Sequence, residues 1–217
     1  MEHAGRTMRA LARPPSEDRS PRLDWGRIEA WAQQVAGGDL GQVNAVFEAN
    51  GALAPRVLWQ PTSSQIQTPQ LRFLWDYWTK LKGDARLPAS RSVDLSALAP
   101  IFGYEALLDV VDNGRDFRYR RGSDVIAVLA GYDLTGKLVS EYSIGSLAIY
   151  LVESVLAIHR AAYRRGEPLY LERAPMRAAY GCHGLLLPLA DDAGTVGGFL
   201  HGAVPIGAGG LPIPAGL

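Results

Sequence analysis

The side chains able to do chemistry in this 217-residue chain are few and scattered. Cys182 and His183 are adjacent, and a thiol beside an imidazole is the pairing that a cysteine nucleophile needs. On a strand, neighbouring side chains point to opposite faces, which places the two poorly for a dyad. Cys182 reads instead as a small buried residue. The four histidines show no metal-ligand spacing, and His183 and His201 each lack a close second ligand, so no metal site is expected. Asp191-Asp192 has the look of a carboxylate pair, but Ala193-Gly194 follows and marks a solvated turn. Arg118, Arg120 and Arg121 form a candidate anion patch, with Asp109 placed to neutralise one of them. The run GTVGGFLHG lacks the lysine of a phosphate loop, and strand bulges explain its glycines. No catalytic residue is assigned, and the chain is not expected to be an enzyme. His159 stays on the page because of where it falls on a helix.

The totals narrow the classes. Twenty-two basic residues balance twenty-two acidic ones, without the basic excess of a nucleic-acid binder. One cysteine excludes an internal disulfide and fits a reducing compartment. No apolar run is long enough to cross a bilayer, and the Arg-rich start lacks the apolar centre of a secretory signal. The expectation is a cytoplasmic protein with no membrane contact.

The elements that must position these groups follow from period and punctuation. DWGRIEAWAQQVAGG repeats Trp25, Ile28, Trp31 and Val35 on one helical face, with Asp24 as cap and Gly37-Gly38 as stop. DLGQVNAVFEANG gives a second helix with Leu40, Val43 and Phe47 on one side. APRVLWQPTSSQIQ has two prolines and no period and reads as a linker. A third helix starts at Thr68 as cap with Pro69 in the first position, carries Leu71, Leu74, Trp75, Trp78 and Leu81, and ends at Gly83. A short helix in DLSALAP stops before Pro100.

The period then becomes two. YEALLDVVDNGRDFRYRR is a hairpin around Asn113-Gly114, a pair that tolerates positive φ. That turn sets Asp112 against Arg115, Val110 against Phe117, Leu108 against Tyr119, Asp109 against Arg118 and Leu107 against Arg120. Leu108, Val110, Phe117 and Tyr119 share an apolar face. The other face is mixed. In FRYRRGSDVIAVLAGYDLTG the second strand runs into a short helix capped by Ser123 and ended at Gly131, and Asp133 starts another turn that closes at Gly136. A long helix from about Ile144 to Arg165 follows, with Ile144, Leu147, Leu151, Val155, Ile158 and Ala162 as its stripe. Three strand-like runs, centred on LYLERAPMR, GLLLPLA and TVGGFLHGAV, finish the chain. The pattern is α+β with one antiparallel sheet.

This order resembles the PAS fold, and the local sequence is similar to stand-alone PAS-like proteins of proteobacteria. The resemblance is carried by Tyr77-Trp78, Arg86 to Pro88, Asp94, LLDV at Leu107 to Val110, FRYR at Phe117 to Arg120, DLTGK at Asp133 to Lys137, Gly166 to Pro168 and LLLPL at Leu185 to Leu189. It covers roughly Leu71 to Val204. It departs at RRGSDVI, where Arg121 stands in place of the apolar residue expected before the glycine. The resemblance implies a five-stranded antiparallel sheet with short helices and one long helix on one face. Composition, period and the resemblance together divide the chain into a flexible tail (1–23), an N-terminal helical extension with linker (24–67), the PAS-like domain (68–206) and a second flexible tail (207–217).

It also implies a pocket between the sheet and the long helix, for which Leu108, Val110, Phe117, Tyr119, Leu129, Val152, Leu156 and His159 are the candidate lining. His159 lies ~65° from the centre of the long helix's stripe at 100° per residue. It is either a boundary histidine bonded to water or a carbonyl, or an iron ligand as in some haem-binding PAS sensors. The implied function is a sensory or regulatory module that binds a small molecule and signals through a dimer or a separate effector. The alternative is a ligand-free protein-interaction scaffold, and a haem sensor through His159 is a remoter one. No tightly bound cofactor is expected. The N-terminal helices are expected to pack on the domain or on another subunit, and Trp25, Ile28, Trp31 and Val35 are the candidate interface of a homodimer meeting the hairpin's mixed face.

Overall fold

The computed structural model describes residues 23–141, 149–174, 181–207 and 209–214, without the side chain of Leu129. Helix α1 spans Trp25–Ala36, and Asp24 accepts a bond from the Arg27 N–H at 3.0 Å, the expected cap. Helix α2 covers Gly41–Ala49 and buries Val43 and Phe47. Helix α3 runs over Pro69–Lys82. Thr68 holds its cap position with extended backbone, but its hydroxyl makes no cap bond and is buried without a partner, so the proline at the first position marks this start. The DLSALAP segment is a 3-10 stretch, Leu95–Ile101, that carries Pro100 inside it rather than stopping before it.

Strands β2 (Glu105–Val111) and β3 (Asp116–Arg121) form the hairpin. Val110 faces Phe117, Asp109 faces Arg118 and Leu108 faces Tyr119, as the turn predicts. A bulge between Leu107 and Leu108 then sets Leu107 against Arg121 in place of the expected Arg120. The turn is also wider than Asn113-Gly114, because Asp112 shares their positive φ at 49° and Arg115 is helical. Gly114 (φ 79°) is held against helix α5 (Ile149–Arg165), since a Cβ there would lie 2.1 Å from the Tyr163 ring.

Beyond β3, Ser123 caps α4 (Asp124–Ala130) and Gly131 ends it in the left-handed conformation. Asp133 accepts from the Thr135 N–H at 2.9 Å and forms the second turn. The chain then doubles back along β3: the Tyr119 N–H donates to the Lys137 carbonyl and the Gly136 N–H to the Tyr119 carbonyl. The expected start of the long helix, with Ile144 and Leu147, lies outside the described residues, as does the end of the LYLERAPMR run.

Strands β4 (Leu169–Arg173), β5 (Gly181–Ala190) and β6 (Val196–Ile206) complete an antiparallel sheet. The linker reading of residues 52–67 is corrected here. Arg56–Trp59 is a strand, β1, paired with β4 through Val57–Leu171 and Leu58–Tyr170. Two prolines bracket it, and Pro is tolerated at the ends of an edge strand. The sheet therefore has six strands, ordered β1-β4-β5-β6-β2-β3.

Each face of the sheet has its own cover. Helix α3 lies on one, so close that a Cβ on Gly202 would meet Leu71 and Leu74 at 2.4 and 2.7 Å. Alternation puts His201 and Ala203 on the opposite face, toward α5. Helix α1 lies over α5 and forms a further layer, which corrects the expectation that it would meet the hairpin's mixed face. Ile28, Trp31, Ala32 and Val35 are buried there. The contact is also ionic: the fully buried Glu153 accepts from the Asp24 N–H at 2.8 Å and pairs with Arg27 at 2.6 Å, while Glu29 pairs with Arg160 and Arg164. The N-terminal segment is thus built into the fold rather than attached to it. So is part of the final tail, since the Ile213 N–H donates to the Pro205 carbonyl and Ile213 accepts from the Tyr104 hydroxyl at 2.8 Å.

A candidate small-molecule cavity between the sheet and the long helix

Alternation on β4 places Leu169, Leu171 and Arg173 on the α5 side of the sheet. Their partners in the register are Leu186, Gly184 and Cys182 on β5, and the next strand adds His201 and Ala203. Above them α5 presents Val152, Val155 and His159, and the start of α4 adds Ser123 and Ile126. These residues line a partly open cavity of about 110 Å³. Phe47 of α2 and Pro55 also line it, so the N-terminal segment contributes to its wall. Gly184 leaves room on the floor, since a Cβ there would make only ordinary contacts at 3.7 Å and beyond.

The polar groups are unusual for so apolar a space. His159 lies 2.8 Å from the Val155 carbonyl through Nδ1. A carbonyl only accepts, so Nδ1 carries the proton and Nε2 carries the lone pair. That Nε2 is buried without a partner. His201 stands edge-on to it, ring centres 5.5 Å apart, and its Nδ1 is likewise buried and unpartnered. Burial lowers the His159 pKa to about 4. Burial, then the neighbouring His159, lowers that of His201 to about 3. Both rings are neutral at neutral pH. Burial pushes the Tyr119 hydroxyl and the Cys182 thiol upward, so both stay protonated. A thiol held in that form is the opposite of an activated nucleophile.

The structure separates the pocket residues expected from sequence. Tyr119, Val152 and His159 line the cavity. Leu108, Phe117 and Leu156 are buried in the core but do not line it, and Phe117 stacks behind His159 at 5.4 Å. Val110 is only partly buried and lies away from the cavity. The Leu129 side chain lies outside the described residues. Of the four interface candidates, Ile28, Trp31 and Val35 are covered by their own chain, and Trp25 packs under Arg115 at 4.8 Å. The apolar stripe proposed for a homodimer is therefore used within the chain.

The remaining candidates disperse. Arg120 pairs with Asp109, and Arg121 with the buried Glu105 at 3.2 Å, which leaves no joint anion patch. Asp191 is held low by bonds from Thr195, first from its hydroxyl and then from its N–H, and shapes a turn. His183 faces away from Cys182, within 3.3 Å of the Tyr170 hydroxyl. Among the described residues no group of three or more His, Cys, Asp or Glu side chains is placed to hold a metal.

Sequence reasoning passed over Arg173 and weighed His201 only as a metal ligand, not as a cavity residue. The available signal was alternation: each follows apolar residues two and four positions earlier or later on a buried face, where a polar side chain is an anomaly. Among the described residues no helix is long and apolar enough to cross a membrane. Comparison with protein-family models, with characterised proteins and with solved structures gives no match for this chain.

Proposed function

We propose that this chain is a PAS-like regulatory module of the cytoplasm that senses a small molecule held between α5 and the sheet. The observation that carries the reading is the cavity itself, an apolar chamber whose walls hold buried ring nitrogens without partners. Unpaired buried polar atoms cost free energy, the Arg173 Nη1 on the same wall among them, and a ligand that pairs with any of these atoms removes part of that cost. The element order of two strands, short helices, a long helix and three strands supports the PAS-like part of the reading. The protonated thiol speaks against nucleophilic catalysis by Cys182. The ligand-free scaffold drew its support from tryptophans in need of a partner, and Trp31 finds one inside the chain. Output would pass through α5, which touches the cavity on one side and α1 on the other. A ligand shifts that contact by as much as it prefers one arrangement over the other.

Native mass spectrometry of the purified full chain tests this. A non-covalent small-molecule adduct is expected, and Ala203→Leu, which fills the chamber, should lose it. A chain that carries no adduct and gains stability from Ala203→Leu would return the protein to the scaffold class.

A further inference from the structure

Arg173 is the one charged side chain among the described residues lining the cavity. Its Nη1 is buried and has no hydrogen-bond partner, and no described carboxylate pairs with it. The acid beside it, Glu172, points to the other face and pairs with Arg56 at 3.2 Å. Of the stretches outside the described residues, 142–148 and 175–180 contain no Asp or Glu, and the acidic side chains lie in the first 22 residues, at Glu2, Glu17 and Asp18. The residue as a whole is half-buried, so it is this one buried N–H group that is left unpaired at a cost, and a guanidinium presents a planar fork matched to a carboxylate.

The rest of the wall sets the size and character of what that carboxylate would be attached to. Leu169 and Leu171 precede Arg173 on the same strand face, over about 13 Å at roughly 3.3 Å per residue. A chamber of comparable size, roughly 150 Å³ and apolar, accepts benzene, so about six non-hydrogen atoms fit here. We propose that the ligand is a short monocarboxylate, with its anion on Arg173 and its hydrocarbon part against Leu169, Leu171 and Leu186. The imidazoles do not compete for the anion, being neutral at neutral pH, so the guanidinium alone supplies charge. This inference rests on the ligand-binding reading above and narrows it to a chemical class.

The experiment titrates the full chain with butyrate and, separately, with 1-butanol at matched ionic strength, reading heat and thermal shift. Butyrate should bind, and Arg173→Met should weaken it by about tenfold or more while leaving butanol within about twofold. Arg173→Lys, which keeps the charge and loses the fork, should fall between. The surface variant Arg91→Met should match wild type. Equal binding of butyrate and butanol, unchanged in Arg173→Met, would overturn the carboxylate assignment and leave a ligand-binding chamber standing. If neither probe binds and Ala203→Leu stabilises the chain, the ligand-binding reading falls with it.

Discussion

Replacing Trp31 with alanine measures how firmly α1 belongs to this fold. The side chain is 2 % exposed and sits among Ile28, Ala32 and Val35 over α5. Deleting a buried tryptophan costs about 3–5 kcal/mol through lost transfer free energy and the void left behind. The Arg27 guanidinium, 5.6 Å above the ring, adds about 0.5–1 kcal/mol at a partly exposed site. Against a typical total of about 5–15 kcal/mol, the variant should be folded but marginal. A chain of this size loses about 2–4 °C per kcal/mol, so a total of about 3.5–6 kcal/mol should lower the melting temperature by about 7–24 °C. The assay is urea unfolding at two protein concentrations a hundredfold apart, with sedimentation velocity alongside. Packing within one chain predicts a loss that is the same at both concentrations and a sedimentation coefficient equal to wild type. A loss below about 1 kcal/mol, or one that grows on dilution, would refute the assignment of α1 to its own α5.

Two further outcomes follow from single sites. Gly114→Ala should destabilise by about 2–4 kcal/mol, part from positive φ and part from the 2.1 Å approach to Tyr163; in a Tyr163→Ala background, urea midpoints should show only the φ part, about 1–2 kcal/mol. The depressed histidines set a pH dependence. Their folded pKa values, about 4 and 3, lie below the unfolded value of 6.5, so the unfolded chain takes up protons first as pH falls. Stability is full above about pH 6.5 and declines below it by up to about 1.4 kcal/mol per pH unit for each ring. Urea midpoints between pH 7.5 and 5 should fall in wild type and fall less steeply in His201→Phe; parallel curves would contradict the buried neutral pair.

What could be read from sequence was local. Asp24, Pro69, Ser123 and Gly131 each declare an element end through their own backbone chemistry, and the Asn113-Gly114 turn carries the hairpin register as far as Leu108 and Tyr119. What escaped was non-local. The bulge that moves Leu107 to Arg121 is a backbone event without a residue signature. Four residues, Arg56–Trp59, are too short for a period, and they become a strand only because β4 lies beside them. The destination of α1 depends on Glu29 and Arg27 meeting charges on a helix well over a hundred residues later. Cavity residues were partly legible: His159 was flagged by its angle on a helix, whereas Arg173 and His201 acquire meaning only when β4, β5 and β6 align.

The return of the chain along β3 has a consequence for how this molecule can meet others. A sheet rim with free N–H and C=O groups is a template onto which a foreign strand can zip. At the β3 rim the Tyr119 N–H and carbonyl are already taken by Lys137 and Gly136, and Arg118 bridges to Leu138. At the opposite rim β1 offers only four residues, Arg56–Trp59, between Pro55 and Pro61. Neither border gives a fibril or a guest peptide a long ladder to extend. Among the described residues, then, the rims of the sheet favour contacts made through side chains, where one substitution can tune them.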